Sequence, residues 1–178
     1  VQIKITRRAI IAVCIVGIAI GSIVTLLVIR IITLSAVIKN QSTIPMSYHG
    51  DIIKATQDNT DFRRVVFTGL NSQLVVMSIP PGGEVGAETH KYTEQTLFFL
   101  SGTGMSELNS EKFPIGPGNV VVVVPGTEHN FWNTGTEPLK IYTVYAPPNH
   151  LPGLVEATKA EADANTADEA IGETPPAK

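Results

Sequence analysis

Two short polar stretches hold the side chains best suited to chemistry. The first, ETHKYTEQ, runs from Glu88 to Gln95 and offers Glu88, His90, Tyr92, Glu94 and Gln95; the second, PGTEHNFWN (125–133), offers His129. Glu88 and His90 are two residues apart, so on a strand a carboxylate and an imidazole share one face. A bend at KYTE could return Glu94 or Gln95 toward them. If His129 reaches the same interior, two imidazoles, a carboxylate and an amide or water make a site for a divalent cation. Imidazole suits Zn, Fe, Ni and Cu, and oxygen donors bring Mn into range. Each residue also has a plainer role. His90 could be solvated, His129 could hydrogen-bond locally at a strand start, Glu88 and Glu94 could be surface charges, and Gln95 could face a neighbour's backbone. His49 and His150 lie near the edges of the soluble part and join no constellation.

Such donors must be held by a frame that does not move. From Met46 to about Asn149 the chain reads as short strands separated by Gly, Pro or Asn: FRRVVF, QLVVMSI, QTLFFLSG, MSEL, KFPI, NVVVVV, HNFWN and LKIYTVYAP. Leu139, Ile141, Thr143 and Tyr145 alternate with Lys140, Tyr142 and Val144, as in a strand with two unlike faces. The run at 120–124 is apolar on both faces and predicts a central strand covered on both sides, or one face that lines a dry cavity or a partner. Only 51–57 suggests a turn of helix. This pattern predicts an all-β sandwich or barrel.

Three zones follow: 1–45, 46–154 and 155–178. The 21 residues between Arg8 and Arg30 carry no charge and as a helix could cross about 30 Å of hydrocarbon. Lys4, Arg7 and Arg8 ahead of them would hold the amino end in the cytoplasm. Two readings stand. One is a membrane anchor that places the following domain outside the cytoplasm. The other is a start site placed ahead of the true one, near Met46, which leaves a cytoplasmic protein. The last zone reads as a short surface helix and a flexible acidic tail with no packing role.

Bulk properties narrow the classes. The net charge is −3, and no basic block follows Lys39, so nothing grips nucleic acid. Cys14 is the single cysteine. It permits no intrachain disulfide and no cysteine metal cluster, and the soluble part has no cysteine nucleophile.

The two polar blocks resemble the paired motifs of the cupins, in particular small single-domain bacterial cupins of the RmlC-like conserved-barrel type. In GGEVGAETHKYTEQTLFFLSG, from Gly82, Glu88 takes the place of the first motif histidine, His90 that of the second and Gln95 that of the glutamate, with Gly102 closing the block. Glu94 competes with Gln95 under a shorter spacing. In GNVVVVVPGTEHNFWN, Gly118, Gly126, His129 and Asn133 fall in register; Val124 holds the motif's proline position, and the proline stands one place later, at Pro125.

The resemblance implies a single jelly-roll β-barrel that is often dimeric. It implies a divalent metal (Zn, Mn, Fe or Ni) held by Glu88, His90, Gln95 and His129, a small-molecule ligand and a homodimer. Isomerase, lyase or dioxygenase chemistry is implied, with a non-catalytic binding or sensing protein as the alternative. Glu94 and Tyr92 are the nearby candidates for proton transfer. The strands carry few cations, which favours a small neutral or weakly acidic ligand.

Overall fold

A computed structural model describes residues 47–175. The apolar run at 1–40 lies outside them. Among the described residues no helix is long and apolar enough to cross a membrane; the transmembrane helix expected from the sequence has no counterpart there, and the run that suggested it lies outside them.

The chain enters through a short helix α1 (Ile52–Asp58), started by Asp51, whose carboxylate accepts from the Lys54 N–H at 3.0 Å. Ten strands follow in order: β1 (Arg63–Thr68), β2 (Gln73–Ile79), β3 (Glu88–Thr89), β4 (Glu94–Ser101), β5 (Gly104–Leu108), β6 (Glu111–Ile115), β7 (Val120–Val123), β8 (Glu128–Asn133), β9 (Leu139–Ala146) and β10 (Val155–Glu156). Two helices, α2 (Lys159–Asp163) and α3 (Thr166–Gly172), end the described chain. The strands form two sheets. One has six strands in the order β10-β1-β2-β9-β4-β7, the other four in the order β3-β8-β5-β6.

The alternation read from the sequence is what builds the core. Along β9, Leu139, Ile141, Thr143 and Tyr145 are buried and their neighbours half-buried. Gln95, Leu97 and Phe99 of β4 turn inward, as do His129, Phe131 and Asn133 of β8. Val75, Met77, Leu97, Phe99, Phe131 and Ile141 meet in one apolar cluster, whose burial supplies the main drive to fold. Gln95 stands at the start of β4, Tyr145 near the end of β9 and His129 at the start of β8, where β3 pairs.

Three expectations are corrected. The fold is not an all-β, single closed barrel. Among the described residues, backbone hydrogen bonding does not run round from one sheet to the other, open edges remain at β10 and β7 and at β3 and β6, and three helices accompany the strands. The valine run is not a central strand, because β7 pairs only with β4. Its inner valines, Val121 and Val123, are buried, while Val120 and Val122 keep 54% and 50% of their surface. The short helix expected after residue 155 is α2, capped by Thr158 and burying Ala162. The flexible acidic tail expected behind it is not what the described residues show: they fold as α3, capped by Asn165, which buries Asp168. Its small, charged composition misled because the burial is polar rather than apolar.

Candidate metal centre

The register of two strands assembles the site. β3 pairs antiparallel with β8, which puts Glu88 directly opposite His129. The turn before β8 ties in the third residue. Gly126 sits at φ +85 and its N–H donates to the His90 carbonyl at 2.9 Å. A residue with a side chain pays for that conformation, so glycine is the natural occupant. The two polar blocks are therefore stitched together by backbone bonds, without help from a ligand.

Glu88 Oε1 lies 3.4 Å from His90 Nε2 and 3.4 Å from His129 Nε2, and the two imidazole rings are 5.1 Å apart. Neither contact has hydrogen-bond geometry: Glu88 Oε1, His90 Nε2 and His129 Nε2 are each buried with no hydrogen-bond partner. Orphaned buried polar atoms are costly. Three that converge are explained by a cation between them. Donors each about 2.1 Å from one ion at tetrahedral angles stand about 3.4 Å apart. The Glu88 side chain keeps 27% of its surface, but Oε1 itself is enclosed. Glu88, His90 and His129 thus form a cluster that can hold a metal ion.

Electrostatics favour the charged carboxylate. Burial alone would push the Glu88 carboxyl up. The neighbouring His129 and His90 imidazoles outweigh it and hold the group well below the usual carboxylate range. The His129 ring is set by Thr127, whose carbonyl oxygen stands 2.9 Å from Nδ1. A carbonyl can only accept, so Nδ1 carries the proton and Nε2 presents a lone pair.

Of the other residues singled out from the sequence, Gln95 is buried. Its Nε2 donates to the Tyr145 hydroxyl at 2.8 Å, and its Oε1 is buried without a partner. The Tyr145 ring in turn stands 5.6 Å from that of His90. Glu94 is not brought in: it is exposed on the face of β4 opposite to Gln95, because a one-residue step along a strand reverses the face. Tyr92 does not line the cavity beside the cluster, and the Lys91 ammonium sits 5.2 Å over its ring.

The sequence reading missed a second group. A cavity of about 390 Å³ is bounded by Glu88 and His90 on one side and by Arg63, Asn149, His150 and Asp168 on another, with α2 and α3 over it. His150 Nδ1 contacts Asp168 Oδ2 at 2.7 Å, and Asp168 Oδ1 accepts from the Leu151 N–H at 2.7 Å. Arg63 Nη1 lies 3.5 Å from Asp168 and 3.3 Å from Glu156. Tyr145 was legible, since it ends the inward face of β9. His150 was not, because its partner lies in the segment read as a tail.

This second group makes stability pH-dependent. Burial pushes the His150 imidazole down by more than Asp168 raises it. Burial pushes Asp168 up, but His150, the Leu151 N–H and Arg63 together bring it below its ordinary value. Both groups therefore bind fewer protons folded than unfolded, and their contribution is complete above the ordinary values of 6.5 and 3.8 and is lost as pH falls. Urea midpoints should drop between about pH 7.5 and about pH 5 as the His150 share is lost, with a further drop below about pH 4. A flat profile would show that neither group is held as described.

Comparison with known proteins agrees with this architecture. Residues 75–145 match the family model described as "Cupin domain". The uncharacterized protein YrkC of Bacillus subtilis is 37% identical over 124 residues, spanning 66% of this chain and 67% of the relative. The uncharacterized protein L612 of Acanthamoeba polyphaga mimivirus is 30% identical over 128 residues, 70% of this chain and 78% of the relative. Among solved structures, BH2720 from Bacillus halodurans superposes with a TM-score of 0.67 at 34% identity, covering 69% of this chain and 98% of that one.

Proposed function

The chain belongs to the cupins, small single-domain proteins of the RmlC-like jelly-roll superfamily, and from that premise we propose a metal-dependent protein acting on a small neutral polar molecule. The observation that carries this reading is the set of four buried, unpartnered donor atoms, Glu88 Oε1, His90 Nε2, His129 Nε2 and Gln95 Oε1. The Tyr145 hydroxyl engages Gln95 Nε2 and leaves the amide oxygen as the free end. A glutamine oxygen is a neutral donor, so the protein supplies a single negative charge to a divalent ion. Asn149 would complete the arrangement. Its amide stands 3.4 Å from His90 Nδ1, and its Oδ1 is buried without a partner. With the amide turned over, Oδ1 accepts from Nδ1–H and His90 Nε2 keeps its lone pair.

When bound, the ion would polarise a carbonyl or enediolate oxygen of the ligand, the chemistry of isomerases and lyases, or engage dioxygen. The protein's part is to orient the ligand and exclude water. Arg63 and Lys159, the cations of the cavity, already pair with carboxylates, Arg63 with Glu156 and Asp168 and Lys159 with Asp163. Little positive charge is left for a phosphate, which favours an uncharged ligand. The alternative, a binding or sensing protein without turnover, is favoured by one observation: neither Glu94 nor Tyr92 faces the cavity. Elemental analysis of the full chain purified without chelators separates the readings. About one zinc or manganese per chain supports isomerase or lyase chemistry, and iron supports the oxygenase. No metal above background sinks the metal-dependent reading and leaves the binder.

We propose further that the protein pairs with itself through β7. Edge strands are usually blunted by charge, proline or brevity. β3 and β10 are two residues long and β6 carries Glu111 and Lys112, whereas β7 is all valine. Val122→Lys should convert a dimer to a monomer in sedimentation equilibrium. A wild-type chain that is monomeric at all concentrations would refute this.

A further inference from the structure

We infer that His150 is the cavity's own proton acceptor: its free Nε2 takes the hydrogen of a hydroxyl or amine on the bound molecule, and Asp168 is the residue that positions it. The inference rests on the reading of the cavity as the ligand site and names a group beyond the metal donors.

Geometry fixes which nitrogen is free. The Asp168 carboxylate accepts from the Leu151 N–H through Oδ1 and contacts His150 Nδ1 through Oδ2 at 2.7 Å. A carboxylate beside Arg63 can only accept, so Nδ1 carries the proton and Nε2 presents its lone pair. Nε2 is buried and has no partner in the protein. His150 is among the residues that line the same cavity as Glu88 and His90. Its ring stands edge-on to Tyr145 at 4.8 Å, and the Tyr145 ring stands 5.6 Å from that of His90. Acceptor and metal donors thus share one aromatic neighbour.

The backbone on either side is held as firmly. Gln73 Oε1 accepts from the N–H groups of Asn149 and His150, and Gln73 Nε2 donates to the His150 carbonyl. Burial keeps the imidazole neutral near pH 7, the form that accepts. If the proton is transferred outright, the ligand's O–H or N–H bond breaks, the proton goes to Nε2, and the imidazolium is paired with Asp168. A purely structural His150 would need only its Nδ1 contact, and nothing in that role explains an orphaned Nε2.

Diethyl pyrocarbonate acylates unprotonated imidazole nitrogen and is the probe. Nδ1 is taken by Asp168, so His150 reacts at Nε2 or not at all. Peptide mass mapping of the full chain, with and without added zinc, compares its rate with that of exposed His49. Nε2 is enclosed in the resting chain, so His150 should lag exposed His49 yet still be modified in the native chain as the segment over the cavity opens. A His150 that is modified only after unfolding in urea overturns the inference. Asp168→Asn should slow His150, because an amide that donates to Nδ1 moves the ring proton to Nε2. An equal or faster rate removes Asp168 from the positioning role. Zinc should protect His90 and His129 and spare His150. Protection of those two beside an inert His150 defeats this inference alone, and failure of zinc to protect them defeats the metal reading while leaving the His150 rate to be judged by itself.

Discussion

His129→Ala should lower affinity for zinc by more than about a hundredfold, since even partners one step removed from a metal are worth 10- to 100-fold. The residue contributes an imidazole whose lone pair is fixed by Thr127 and whose ring is buried against Phe131 and His90. No neighbouring donor can take its place, because Phe131 and Asn133, next on the same face, offer a phenyl ring and an amide already engaged with the Ile79 and Glu137 carbonyls. The fold should survive. The void costs about 2–5 kcal/mol by analogy with other large-to-small changes, and the apolar cluster beneath keeps all of its own side chains. Glu88→Ala should likewise release the metal, by removing the one anionic donor. Competition with a chromogenic chelator gives the affinities, and urea unfolding of the metal-free proteins gives the stability. Unchanged metal content in both variants would remove the site.

Gln73→Leu should produce the largest loss of stability of any single polar substitution in the described chain, about 3–6 kcal/mol. The side chain is fully buried and makes four hydrogen bonds, to Thr68 Oγ1, the His150 carbonyl and the N–H groups of Asn149 and His150. Leucine fills similar space but leaves those partners dry and unpaired, and each orphan costs about 1–3 kcal/mol. Zinc affinity should change far less, because the donors at 88, 90 and 129 are placed by β3, β8 and the Gly126 turn. Together the two variants dissociate metal retention from integrity of the cavity wall. A Gln73→Leu chain as stable as the wild type would mean that residues 149–150 are not fastened by Gln73.

The strand pattern was legible because alternation survives in β4, β8 and β9, where every second residue enters the core. The donors were legible for the same reason: Glu88 and His90 sit two apart, and His129 heads an inward row. Glu94 shows the limit of such reading. Spacing alone leaves its register one residue uncertain, and one residue decides between cavity and solvent. β7 shows another, since five consecutive valines do not say which face is covered. Closure of the sheets depends on pairing between strands distant in sequence, which no local pattern encodes. The His150–Asp168 pair was hidden because α3 is held by a buried carboxylate in a stretch whose small, acidic composition resembles that of unstructured tails.

The family match ends at residue 145, whereas His150, Lys159, Asp168 and the helices over the cavity come after it. The cradle for the ion and the roof above it are thus separate stretches of chain. Grafting residues 150–175 between members of this group would then change what is admitted while leaving the ion in place. Selectivity here should be an exchangeable module, built on a shared chemical base.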